Sequence, residues 1–156
     1  MKKYLKTGFT LIELLIVITI IGILTALITT NLTGARSRAR DTRRKSDLRS
    51  IEQALRLYYN DAKRFPSSDG SGNISTATWG SPFTVGSTVY MSSLPLDPSG
   101  NGITYKYVGI SDDSYLLVTS LEKLSDPDIS ESQARCTTAL AGYAETVETD
   151  YVVCVQ

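Results

Sequence analysis

Residues 9–30 read FTLIELLIVITIIGILTALITT, twenty-two residues with no proline and a single charge, Glu13. At about 1.5 Å per residue, a helix of that length covers roughly 33 Å, against about 30 Å for the hydrocarbon core of a bilayer. The stretch therefore predicts a membrane-spanning helix. A buried helix of a soluble domain is the weaker reading, because such helices seldom stay apolar on every side for so many turns. Glu13 stands out, since an ionisable group inside an apolar run costs free energy and marks a functional position.

Working outward, residues 1–8, MKKYLKTG, carry Lys2, Lys3 and Lys6. They have the character of a secretory signal's basic region, but the apolar run is longer than the usual 7–15 residues, roughly, and no small-x-small cleavage site follows it. The spanning segment is thus expected to survive export. Downstream, residues 36–49, RSRARDTRRKSDLR, hold seven basic and two acidic side chains. Leu48, Ile51, Leu55, Tyr58 and Ala62 recur at helical spacing, and Asp41–Lys45 and Glu52–Arg56 can pair on a helix surface. One helix from Phe9 to Ala62, about 80 Å long, is the simplest account. Pro66 is expected to end it.

Charge is zero overall but unevenly spread: residues 1–64 carry thirteen Lys/Arg and five Asp/Glu, residues 65–156 three and eleven. Such an asymmetry speaks of partners and surfaces rather than of fold. The chain has no histidine, which excludes Ser–His–Asp and Cys–His catalysis and His-based metal sites. No nucleophile–base pattern points to an enzyme, Asp112-Asp113 being the one pair to weigh against that. Its two cysteines, Cys136 and Cys154, are too few for a structural zinc site. In an exported domain they are expected to form a disulfide, and in a reducing compartment to stay as thiols.

Residues 66–82 are rich in Ser, Gly and Pro and read as a loop. Strands are expected at 83–90, broken by Gly86, and at 103–110 and 115–121, which flank Ser111-Asp112-Asp113-Ser114 as a hairpin. A last strand is expected at 151–155. Residues 94–98 and Gly100-Asn101-Gly102 read as turns, and LSDPDISES, with Asp126, Asp128 and Glu131, as a polar turn.

The sequence Gly8-Phe9-Thr10-Leu11-Ile12-Glu13-Leu14-Leu15, after a short basic leader and opening a long apolar helix, resembles the class III signal of type IV pilins and type II secretion pseudopilins. The resemblance implies cleavage between Gly8 and Phe9 by a prepilin peptidase on the cytoplasmic face, and N-methylation of Phe9. It gives Glu13 a role that electrostatics supports: its carboxylate would neutralise the new Phe9 amine of a neighbouring subunit and set the register of a filament. The other reading of Glu13 is a side chain reaching for lipid headgroups. Residues 24–34, LTALITTNLTG, collect weak helix formers, and many pilins have proline where this chain has Thr30. A helix continuous in the isolated subunit, softest over 22–34 in a filament, is expected. Residues 94–107, with Asp97-Pro98 and Tyr105-x-Tyr107, look like the first-strand region of major pseudopilins. In some of those proteins a calcium ion occupies a late loop, which makes Asp126 and Asp128 weak candidates for calcium. The Cys136–Cys154 loop more closely resembles the disulfide-bounded region of type IV pilins.

The expectation is therefore an α+β chain: a long N-terminal helix, membrane-spanning in its first half and packed by its second half on a small antiparallel sheet. Its parts are a cleaved leader (1–8), a transmembrane and filament-core helix (9–34), the amphipathic half of that helix (35–64) and a sheet domain with a disulfide loop (65–156). The expected function is a structural subunit of a type IV pilus. The alternatives are a type II secretion pseudopilin, a minor pilin in DNA uptake or adhesion, and a tethered binding module that keeps residues 1–8. Expected partners are copies of itself, other pilins, the prepilin peptidase, an inner-membrane assembly platform and, before assembly, lipid. Arg36, Arg38, Arg40, Arg43, Arg44 and Lys45 are candidates for contact with lipid headgroups, with acidic domains of neighbouring subunits, or with DNA phosphates. The N-terminus is expected in the cytoplasm and the sheet domain outside, although the basic residues after the apolar run outnumber those before it, against the positive-inside rule.

Overall fold

A computed structural model describes residues 8–100, 105–141, 143 and 148–155, with the backbone alone for 29–31. The leader residues 1–7, and residues 101–104 of the expected turn and strand, lie outside the described residues. The chain divides into two compact units, Met1–Arg36 and Ser37–Gln156. Helix α1, Leu11–Ala62, contributes to both.

Among the described residues of the first unit the large apolar side chains are exposed, from Phe9 at 83% to Leu32 at 42%. This part of α1 is long and apolar enough to cross a membrane. Its threonines do not break that character. The hydroxyls of Thr19 and Thr25 donate to the carbonyls of Leu15 and Ile21, each at 2.7 Å, so the helix itself satisfies them.

In the second unit Leu48, Ile51, Ala54, Leu55 and Tyr58 turn one face of α1 into a core with Phe65, Phe83, Leu94, Tyr105, Tyr107, Tyr115 and Leu117. Fully burying a side chain such as Leu48, Ile51 or Leu55 contributes about 1.5–3 kcal/mol. Ala62, expected on this face, is exposed. The helix ends at Ala62, as expected, but the stop comes before Pro66: Lys63 takes a left-handed φ of 55°, and its N–H donates to the Tyr59 carbonyl at 2.8 Å. The early stop lets Phe65 enter the core at 6% exposure, its N–H held by the Asp112 carbonyl at 2.7 Å.

Strands β1 (Phe83–Val85) and β2 (Thr88–Met91) form an antiparallel ribbon. Gly86 at φ 61° supplies the left-handed residue that this two-residue turn needs. Strands β3 (Lys106–Ser111), β4 (Ser114–Ser120) and β5 (Asp150–Val155) make an antiparallel sheet in the order β3-β4-β5. The expected hairpin is present as β3–β4, the stretch 83–90 expected as one broken strand is instead a second hairpin, β1–β2, and β5 is the expected last strand, at the sheet edge. Gly109 in β3 lets the backbone of Pro66–Ser68 pass close by: a Cβ there would sit 3.1 Å from the Pro66 carbonyl.

The expected polar turn over LSDPDISES is instead helix α2, Pro127–Arg135, followed by the short α3, Thr137–Leu140. Asp126 caps α2, its side chain accepting the Asp128 N–H at 3.0 Å, with Pro127 in the first turn. The physical reason lies in β4. Tyr115 and Leu117 face the α1 core, while Leu116 and Val118 face away from it, against Cys136, Ala139 and Val152. A strand buried on both faces requires a second cover, and α2 and α3 provide it.

Candidate functional site

At the start of α1 the Thr10-x-x-Glu13 spacing forms a reciprocal cap. The Thr10 N–H and hydroxyl donate to Glu13 Oε2 at 2.8 and 2.7 Å, and the Glu13 N–H donates to Thr10 Oγ1 at 3.3 Å. The Thr-x-x-Glu spacing of this capping box is a signal that the sequence itself carries. Gly8 and Phe9 are exposed and precede the helix, so their peptide bond is not engaged in helical hydrogen bonding. Glu13 is exposed as well, and its carboxylate sits one turn from that bond.

The basic segment departs from expectation. Arg44 is fully buried, and Asp41 is buried at 2%. Arg44 forks onto Asp97, with Nε to Oδ2 at 2.6 Å and Nη2 to Oδ1 at 3.0 Å. Its Nη1 donates to Asp41 Oδ1 at 2.7 Å and lies 3.0 Å from Glu122 Oε1. Arg40 makes a second fork onto Glu122, at 2.7 and 2.5 Å. The Asp41 carboxylate also accepts the N–H groups of Glu122 and Lys123, both at 3.0 Å, and the Ser99 hydroxyl and N–H donate to Asp97. Two arginines and three carboxylates thus clamp α1 to the segments around residues 97 and 122. Bidentate charge-assisted geometry of this kind is the strong form of an ion pair.

Electrostatics follow from the contacts. Burial alone would lower Arg44, but Asp97, Asp41 and Glu122 outweigh it and its pKa is raised. Burial alone would raise Asp97, and the hydrogen bonds from Arg44 and Ser99 instead bring it below its ordinary value. Glu122 is lowered chiefly by the Arg40 hydrogen bond.

Lys45 does not pair with Asp41, as the i,i+4 spacing suggested. Its Nζ donates to Asp126 Oδ2 at 2.7 Å and Asp128 Oδ2 at 2.8 Å, and lies 5.7 Å from the Tyr151 ring centre. Asp41 pairs with Arg44 because both face inward, three residues apart. The Glu52–Arg56 pair is present at 2.7 Å. Arg40, Arg44 and Lys45, read as groups for lipid, neighbouring subunits or DNA, are therefore occupied within the chain. Arg36 and Arg38 are exposed, and among the described residues Arg43 reaches only Asp47, at 3.9 Å. The charge asymmetry had signalled that base would meet acid. It had not signalled that the meeting takes place inside one chain, through Asp97 and Glu122.

Cys136 and Cys154 form a disulfide joining the α2–α3 junction to β5. The same junction is tied by Gln133 Nε2 donating to the Asp150 carbonyl at 2.9 Å and by the Val152 N–H donating to Ser132 Oγ at 3.2 Å. Among the described residues no group of three His, Cys, Asp or Glu side chains is placed to hold a metal ion.

Comparison with known proteins bears on these surfaces together. A family model described as type II secretion system (T2SS), protein G, matches residues 31–129. A second, the prokaryotic N-terminal methylation motif, matches residues 5–29. Type II secretion system core protein G of Vibrio cholerae is 33% identical over 124 residues, 78% of this chain and 84% of the relative. The protein of the same name in Aeromonas hydrophila is 37% identical over 105 residues, 65% of this chain and 73% of the relative. That of Pseudomonas aeruginosa is 32% identical over 114 residues, covering 67% and 76%. No solved structure gives a significant match. These matches favour secretion over the type IV pilus that the disulfide loop had suggested; both cysteines lie beyond the region matched by the protein G model. The long helix with its methylation motif, the clamped sheet domain and these relatives converge, and the chain belongs to the type II secretion system protein G family of structural pseudopilins, which are not enzymes.

Proposed function

We propose that this chain is a filament-forming pseudopilin subunit of a type II secretion system. It is cut between Gly8 and Phe9 by a prepilin peptidase, methylated at Phe9, and held in the inner membrane by the apolar part of α1 until it joins a periplasmic filament with other pseudopilins. The observation that carries the reading is the coincidence of the methylation motif over residues 5–29 with the apolar part of α1, whose described large apolar side chains are presented outward. Such a surface has two stable environments, lipid and the apolar helices of neighbouring copies. One surface of a subunit meeting a different surface of the next generates an open helical polymer rather than a closed ring.

In this reading Glu13 sets the register. It exchanges or shares its Thr10 hydrogen bonds with the amine of Phe9 in the next subunit, a cation that hydrocarbon would otherwise leave uncompensated. The exposed Arg36, Arg38 and Arg43 remain for headgroups or for acidic groups on neighbouring subunits. The test is Glu13→Gln and Glu13→Ala in cells, with mass spectrometry of the mature N-terminus and filaments scored in membrane and sheared fractions. Both variants are expected to be processed and to accumulate in the membrane with filament incorporation reduced at least tenfold. Normal incorporation of both, or a working protein that retains residues 1–8, contradicts the proposal.

A further inference from the structure

A calcium site was one expectation for Asp126 and Asp128, and the residues present do not fit one. Calcium takes about six to eight oxygen ligands at roughly 2.3–2.6 Å. Here both Asp126 oxygens are engaged, Oδ1 by the Asp128 N–H at 3.0 Å and Oδ2 by Lys45 Nζ at 2.7 Å. Asp128 Oδ2 takes the same ammonium at 2.8 Å. A divalent ion between these carboxylates would stand against an ammonium already in hydrogen-bond contact with both. Glu131, the third acid of the stretch, is exposed. Asp150, the nearby acid on β5, accepts the Ser120 hydroxyl at 2.7 Å.

We infer that Lys45, a cation tethered to α1, takes the place of a metal ion for these carboxylates, so that the C-terminal segment of this chain folds and stays docked without divalent cations. Several features support the assignment. The Lys45 side chain is 14% exposed and that of Asp126 18%, so the pair is shielded enough from water for its attraction to count. The ammonium lies over the Tyr151 ring of β5, which gives one side chain contacts to both α2 and β5. The α2–α3 junction and β5 are then closed covalently by Cys136–Cys154. Ammonium and disulfide together link the three elements of the segment to each other and to α1. Burial alone would lower the lysine, but its two carboxylates raise it, so it stays charged throughout the physiological range. This inference concerns the folded domain and stands whether or not the chain assembles for secretion.

The experiment is thermal unfolding of the full chain in detergent micelles, followed by the fluorescence of Trp79, with calcium chloride or with EDTA. The wild-type midpoint is expected to be the same in both, and titration calorimetry with calcium chloride to show no binding. Lys45→Met is expected to lower the midpoint by about 5 °C. A wild-type midpoint that rises with calcium or falls with EDTA overturns the inference, and so does a Lys45→Met protein that melts with the wild type. Should Lys45→Met fail to fold, Asp128→Asn alters a side chain that is 45% exposed. Its midpoint is expected to drop by about 2 °C without a calcium response, and an unchanged midpoint again overturns the inference.

Discussion

Replacing Arg44 by methionine removes the cation at the centre of the clamp while keeping most of the side chain's volume. Not every carboxylate suffers equally. Glu122 keeps its fork with Arg40, and Asp41 keeps the N–H groups of Glu122 and Lys123. Among the described residues Asp97 keeps only the Ser99 groups around a side chain that is 4% exposed. The cost is therefore dominated by one stranded carboxylate. Removing one partner from a buried pair costs about 3–5 kcal/mol, a large share of a total stability of about 5–15 kcal/mol. For a domain of this size the melting midpoint should fall by about 12–20 °C. Trp79, the single tryptophan, lies half-buried against Tyr105 at 5.7 Å. Its fluorescence reports unfolding of the sheet domain separately from the membrane helix. Adding Asp97→Leu to Arg44→Met should recover part of the loss, with a coupling of about 2 kcal/mol, because the stranded charge is then gone. An Arg44→Met protein within about 1 kcal/mol of wild type, or a double variant as unstable as the sum of the singles, would refute the clamp as argued.

Three further outcomes are expected. Reducing the disulfide, or replacing Cys136 and Cys154 by serine, should cost about 3 kcal/mol for a link spanning 18 residues; melts with and without reductant that coincide would remove the disulfide from the account of stability. Tyr115→Phe should be neutral or stabilising by up to about 1 kcal/mol, since its buried hydroxyl has no hydrogen-bond partner among the described residues, and a clear loss on denaturant titration would expose a missing partner. On pH, the lowered Asp97, Glu122 and Asp126 contribute stability that is present above their ordinary values of 3.8, 4.5 and 3.8 and is lost as pH falls through the lowered ones. Burial raises Tyr105, Tyr107 and Tyr115 above 10.0, so their contribution is present below that pH and lost above it. Midpoints measured across pH should form a plateau between these limits, and a protein that gains stability below about pH 4 would contradict the signs.

Sequence by itself determined the long helix, its apolar first half, the inward stripe of Leu48, Ile51, Leu55 and Tyr58, and the β3–β4 hairpin. All of these rest on local periodicity or on turn chemistry within a few residues, which a linear reading sees. The Thr10-x-x-Glu13 cap is equally local. Local signals for α2 existed too, in Asp126-Pro127 at its start and in the unbroken apolar run of β4, which a half-buried strand would not have.

Only tertiary structure decided the fate of the basic segment. Seven cations in fourteen residues look like a solvated surface; Arg44, four residues before Leu48, lies on the inward stripe and Arg43 does not, but nothing within the segment names the partners that Arg44 meets there. Its partners stand 53 and 78 positions along the chain, at Asp97 and Glu122. Their attraction exists only after the apolar face of α1 has docked on the sheet and removed the water that would screen it. Periodicity is written along a chain, whereas the pairing of distant charges is made by the fold that brings them together.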